Sequence, residues 1–140
     1  MSDFTLDPRL KNDCHLLGSL GLSHLLLVNN ALLPWFILVP NTTEIELTDL
    51  SPQDQATLLE EINRVSRFIK ANFEISKLNI AAIGNIVSQL HIHLVGRDPA
   101  DYCWPNVVWG TTEREPYTSE RLNEITTALT TQLGDLFSNT

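Results

Sequence analysis

The sequence predicts an α+β fold: an antiparallel sheet of about five strands, a long helix across one face, and a C-terminal helix. Three observations carry this expectation. A capped amphipathic run begins at Ser51, short aliphatic stretches flank it on both sides, and a second helical stripe follows residue 118.

Asp7 and Pro8 are a helix start, an acidic N-cap with proline at the first helical position, good for a turn or two before Cys14. Residues 18–21 read as a turn. Ser23 to Asn29 and Trp35 to Pro40 are apolar strands joined by residues 30–34, a hairpin with a moderately long loop. Asn29 and Asn30 suit the backbone of such a turn. Ser51 as N-cap, Pro52 behind it and Asp54 in the first turn open the long helix. Leu58, Leu59, Ile62, Val65, Phe68, Ile69 and Phe73 then recur at helical spacing, to about Asn72. Arg64, Arg67 and Lys70 fall off that stripe and read as a solvated face.

Lys77 to Ile83 is a strand, Gly84 and Asn85 turn the chain, and Val87 to Arg97 returns antiparallel to it. Residues 98–110 are irregular and carry Tyr102, Trp104 and Trp109. These aromatics suit a site wall, a subunit contact or an apolar cluster under a loop. Thr118 or Ser119 starts the last helix, with Leu122, Ile125, Leu129, Leu133 and Phe137 on one stripe. One domain over residues 1–140 is expected, its core at about 4–110 and its final helix at about 118–137.

Composition narrows the function classes. A net charge of -8 disfavours a nucleic-acid polymer as partner, although a local pocket of imidazoles and amides can still hold a small nucleotide. Two cysteines without a Cys-x-x-Cys spacing do not make a disulfide framework. The first residues lack a basic region followed by an apolar run. No apolar stretch approaches the ~20 residues that cross a bilayer, so no membrane partner is expected and the cytoplasm is the simplest setting.

The chemistry concentrates between Gln89 and Val95. Strand alternation sends Leu90, Ile92 and Leu94 to one face, and Gln89, His91, His93 and Val95 to the other. Two of the four histidines thus sit about 7 Å apart along one strand face. A nucleophilic imidazole needs one nitrogen free and the proton on the other held by an acceptor. A backbone carbonyl or the Gln89 side-chain oxygen would serve. Asn79 shares the sheet face with His91 if the faces of the two strands match.

The run Gln89-Leu90-His91-Ile92-His93-Leu94-Val95 resembles the motif of the histidine triad family, with Gln in place of the first His. Trp35 to Pro40 is similar to the family's preceding strand ending in Pro. Leu78-Asn79-Ile80, followed by Gly84-Asn85, is similar to the strand and turn that lead into the motif. The likeness spans roughly residues 4 to 110 and implies a HIT-like fold.

It also implies a metal-independent hydrolase or transferase, without a cofactor, acting at a nucleotide α-phosphate. His91 would form a nucleotidyl-histidine, and His93 would bind phosphoryl oxygens or help the leaving group. Asn79 and Asn85 match positions near the phosphate and leaving-group contacts. Asn30 falls where the family commonly has an acid that holds the ribose hydroxyls. Gln89 cannot titrate, yet its amide can orient the relay behind the nucleophile. Trp35 lies where several members carry another relay His. A phosphoramidate or a dinucleoside polyphosphate is the implied substrate, and a homodimer the implied assembly. Two rivals stand beside this reading. One is a His-x-His metal site completed by His15, His24, Cys103 or Asp98; the other is a non-catalytic nucleotide-binding or scaffold protein on the same fold.

Overall fold

The computed structural model describes residues 4–140. A short helix α1 (Pro8–Asp13) leads into strands β1 (Cys14–Ser19), β2 (Ser23–Val28) and β3 (Trp35–Pro40). Helix α2 (Pro52–Asn72) is followed by β4 (Lys77–Ala81) and β5 (Ile92–Arg97). Helix α3 (Ser119–Leu133) and the two-residue strand β6 (Ser138–Asn139) complete the chain. The strands form one antiparallel sheet in the order β4-β5-β3-β2-β1-β6.

Alternation divides the sheet into two working faces. On one, Leu25, Leu27, Phe36, Leu38, Ile92 and Leu94 are buried against α2 and α3. On the other, Leu26, Val28, Ile37 and Val39 are covered by Leu10 of α1 and by Val87. Strands buried on both sides read as unbroken aliphatic runs, as β2 and β3 do. Helix α2 starts as its sequence dictates: the Ser51 hydroxyl accepts from the Asp54 N–H at 3.1 Å, with Pro52 in the first turn. Its buried stripe is Leu58, Glu61, Val65, Phe68 and Ile69. Leu59, expected on that stripe, lies beside it and is 58% exposed. Glu61 takes the inward position because its carboxylate accepts the Leu22 N–H at 2.7 Å.

Three expectations are corrected. Residues 14–19 form a strand, where only a helix end and a turn were expected. Its irregular register at residues 16–18 hides the alternation, and a Cβ at Gly18 would collide with Ser138 and Phe137 of the paired C-terminal segment. The histidine strand begins at Ile92, not Val87. Its ladder with β3 ends at the pair Leu38 and Ile92. Continued, that register would set Leu90 against Pro40, which has no N–H to give. Strand β4 likewise stops at Ala81, short of Ile83.

Gly96 is required by close approach. Its N–H donates to the Pro34 carbonyl at 2.8 Å, and a Cβ there would stand 2.7 Å from side-chain carbons of both Pro34 and Ile75. Gly96→Ala is expected to destabilise the fold by about 1–3 kcal/mol through overpacking. Urea unfolding followed by circular dichroism would read this as a lower midpoint at unchanged slope.

Candidate active site

Strands β3 and β5 pair with Ile37 opposite His93 and Trp35 opposite Val95, so these four residues share a face. His91, just ahead of β5, sits on the same side with its ring centroid 4.9 Å from that of His93. Both imidazoles are buried, 6% and 7% exposed. Their partners fix where the protons are. Nδ1 of His91 lies 2.7 Å from the backbone carbonyl of Gln89, an acceptor only. That nitrogen therefore carries a proton and donates it, which in the neutral ring leaves the lone pair on Nε2. His93 is held the opposite way. The Trp35 indole N–H, a donor only, points at Nδ1 of His93 at 3.0 Å. The His93 proton therefore resides on Nε2. One imidazole offers a lone pair, its neighbour an N–H.

Burial, reinforced by His91, pushes the His93 imidazole down to about 4, so it is neutral near pH 7. Trp109 meets His93 and Trp35 edge-on, with centroids at 5.3 and 6.0 Å, and completes an aromatic wall. A cleft of about 690 Å³ opens over the pair. Residues of α1, the turn at 83–87 and the segment 108–114 surround it.

The expected site residues fall into two groups. His91, His93 and Asn85 line the cleft. Asn30 also borders it, but its side chain serves the protein: Oδ1 accepts from the Leu32 and Glu115 N–H groups, and Nδ2 donates to the Glu113 carbonyl. The Gln89 amide faces away, accepting from the Asp7 N–H at 2.8 Å and donating to the Thr5 carbonyl at 2.9 Å. Its contact with His91 is made by the main chain. Asn79 shares the histidine face through its pairing with Val95, yet its oxygen accepts from Arg97 at 2.9 Å, outside the cleft.

The metal candidates stand apart from the pair. His24 stacks on Phe4, Cys103 lies beside Arg97, and Asp98 accepts from the Ala100 N–H. His15 is on β1, remote in the sheet order from β5. Among the described residues, no group of three or more His, Cys, Asp or Glu could hold a metal ion.

Two features were not foreseen. Arg97, 2% exposed, makes a two-pronged ion pair with Asp101 at 2.8 and 3.1 Å and also donates to the Asn106 carbonyl. It anchors the loop that carries Trp109. Burial pushes the Asp101 carboxyl up, but Arg97 and the N–H groups of Asp98 and Cys103 outweigh it and hold it below the usual range. Charged residues also rim the cleft: Arg9, which donates to the Ile86 carbonyl, and the Arg114–Asp13 ion pair. Their separation in sequence, 77 and 101 residues, leaves no local signal.

A HIT domain family model matches residues 9–100. A histidine triad protein from Bradyrhizobium japonicum has 39% identity and a TM-score of 0.88, over 92% of this chain and 97% of that one. One from Sinorhizobium meliloti has 40% identity and a TM-score of 0.88, over 93% and 97%. One from Marinobacter aquaeolei has 39% identity and a TM-score of 0.88, over 95% and 98%. None of the curated proteins matches the chain.

His93 titrates at about 4 folded against an ordinary 6.5, so between these values the unfolded chain binds more protons. The stability this provides is complete above the upper value and is lost as pH falls through the lower one, about 3 kcal/mol in all. Urea unfolding at both ends of the window should show His93→Asn losing that much less than wild type. Separately, Arg97→Met strands the buried Asp101 carboxylate and is expected to cost about 3–5 kcal/mol. Denaturation would measure it, and tryptophan fluorescence would report the loosened loop.

Proposed function

The chain belongs to the HIT domain family, and we propose that it is a nucleotide-binding hydrolase or transferase working through a nucleotidyl-histidine. The observation that carries this reading is the opposed protonation of two adjacent imidazoles at the base of a nucleotide-sized cleft. Nε2 of His91 attacks the α-phosphorus. An N–P bond forms, the bond from phosphorus to the leaving group breaks, and its electron pair departs with that group. The positive charge arising on His91 is eased by its Nδ1–H bond to the Gln89 carbonyl. His93 donates from Nε2 to an oxygen of the reacting phosphate or of the group that leaves it. Water then attacks phosphorus, the N–P pair returns to Nε2, and the nucleoside monophosphate is released, the water's proton passing to solvent.

No metal ion is required for either step. Asn85, which lines the cleft, would meet the phosphates or the leaving group. Gln89 contributes through its carbonyl, Asn30 by shaping the wall, and Asn79 by bracing Arg97. The proposed setting is a cytoplasmic homodimer of one domain per chain. Ile80, 47% exposed on edge strand β4, supports pairing between copies. Among the described residues no helix is long and apolar enough to cross a membrane.

One observation favours a second reading, a non-catalytic nucleotide-binding protein. The Gln89 and Asn30 amides, both expected to serve ligand or relay, are engaged by the chain's own backbone. Incubation of the EDTA-treated protein with α-labelled dinucleoside polyphosphate and adenosine phosphoramidate separates the two. Acid-labile label on wild type and none on His91→Ala is the expected result. Nucleotide binding without label or turnover would establish the binding protein instead. Activity lost to EDTA and restored by zinc would move the site to metal chemistry.

A further inference from the structure

The proposed reaction leaves open what departs from the α-phosphorus, and the residue behind His93 bears on it. We propose that Trp35 is a positioning residue that sets the leaving-group class. By holding His93 as a fixed Nε2–H donor, it suits the site to nucleotides whose leaving group departs as a stable oxyanion, such as a phosphate or polyphosphate, and not as an amine. The inference rests on the nucleotidyl-transfer reading above.

The geometry is restrictive. Indole nitrogen has a proton to give and no lone pair to offer, and it stands 3.0 Å from Nδ1 of His93. A second proton on His93 would set two N–H groups head to head across that distance. The other neighbours offer no relief. Strand β3 places Ile37 opposite His93, β4 places Ala81, and the loop brings Trp109. The titratable neighbour is His91, whose charge would oppose a proton on His93. The charged groups of the cleft are Arg9 and Asp13 from α1, with Glu113 and Arg114 from the facing segment. Arg9 pairs with Asp7, and Arg114 with Asp13.

His93 thus has one proton to use, on Nε2. Transferring it would leave an imidazolate that Trp35 cannot reprotonate, so Nε2–H can donate a hydrogen bond but cannot act as a general acid. For an anhydride this suffices. The His91 N–P bond forms, the bridging P–O bond breaks, and the pair leaves on an oxygen that the His93 N–H can stabilise, with no proton transferred. For a phosphoramidate the P–N bond must break, and the departing nitrogen needs a proton that only solvent supplies.

The test compares kcat/KM of the EDTA-treated protein for a dinucleoside polyphosphate and for adenosine phosphoramidate, between about pH 5 and 8. Wild type should favour the anhydride by about a hundredfold or more, the usual worth of a missing general acid. Its anhydride rate should show no titration limb from His93 in that range. Trp35→His places a second titratable imidazole behind His93 and should shrink the preference by at least about tenfold, mainly at the acidic end. Equal or faster cleavage of the phosphoramidate by wild type would overturn the inference, as would an unchanged preference in Trp35→His. Label on His91 with the wrong preference defeats this inference alone; no label from either substrate defeats the nucleotidyl-transfer reading and this one with it. Long-range 1H–15N spectra of wild type give a check that needs no variant. A lone pair on His93 Nδ1 throughout the range is expected, and an Nδ1–H or imidazolium signal there would refute the inference.

Discussion

The ladder between β3 and β5 is the constraint on which the rest of the structure depends. Its four residue pairs run from Trp35 with Val95 to Leu38 with Ile92, and they bury both faces of both strands. One set of side chains, Phe36, Leu38, Ile92 and Leu94, closes the core with α2 and α3. The other set brings Trp35 to His93 across 58 residues of chain. A slip of one residue would exchange the sets, sending imidazoles into the helix layer and aliphatic residues into the cleft. Core packing therefore enforces the site's register.

Much of this was legible because periodicity is a local property. The α2 stripe, the β2–β3 hairpin, the final helix and the two inward histidines follow from residue spacing alone. Strand β1 is hidden from the residue pattern because its irregular register breaks the alternation that identifies a strand. The histidine strand is five residues shorter than its alternation suggests, because the alternation runs on past the point where Pro40 ends the ladder. Distance in sequence concealed other features. The Gln89 side chain bonds residues more than 80 positions away, and the burial of Arg97 becomes intelligible only once Asp101, Asn79 and the Asn106 carbonyl surround it.

The protonation frame of the site illustrates a further limit. Residue types identified an imidazole pair, but donor and acceptor roles came from a backbone carbonyl and an indole, neither of which titrates in the physiological range. The Trp35 indole gives His93 a hydrogen bond and, having no lone pair of its own to offer, can neither take up nor pass on a proton there.

The segment 113–117, whose first two residues line the cleft, has no helix or strand, yet it is not slack. Asn30 holds the Glu113 carbonyl and the Glu115 N–H, Asn29 takes the Tyr117 N–H, and the Ala31 N–H donates to the Glu115 carbonyl. Opening it means losing several hydrogen bonds together, each worth about 1 kcal/mol, so excursions of this segment are cooperative and rare. A ligand resting against it forfeits little conformational entropy, because folding has already ordered the surface it meets. An asparagine that spends its amide on the chain thus stiffens the border of the cleft without facing into it.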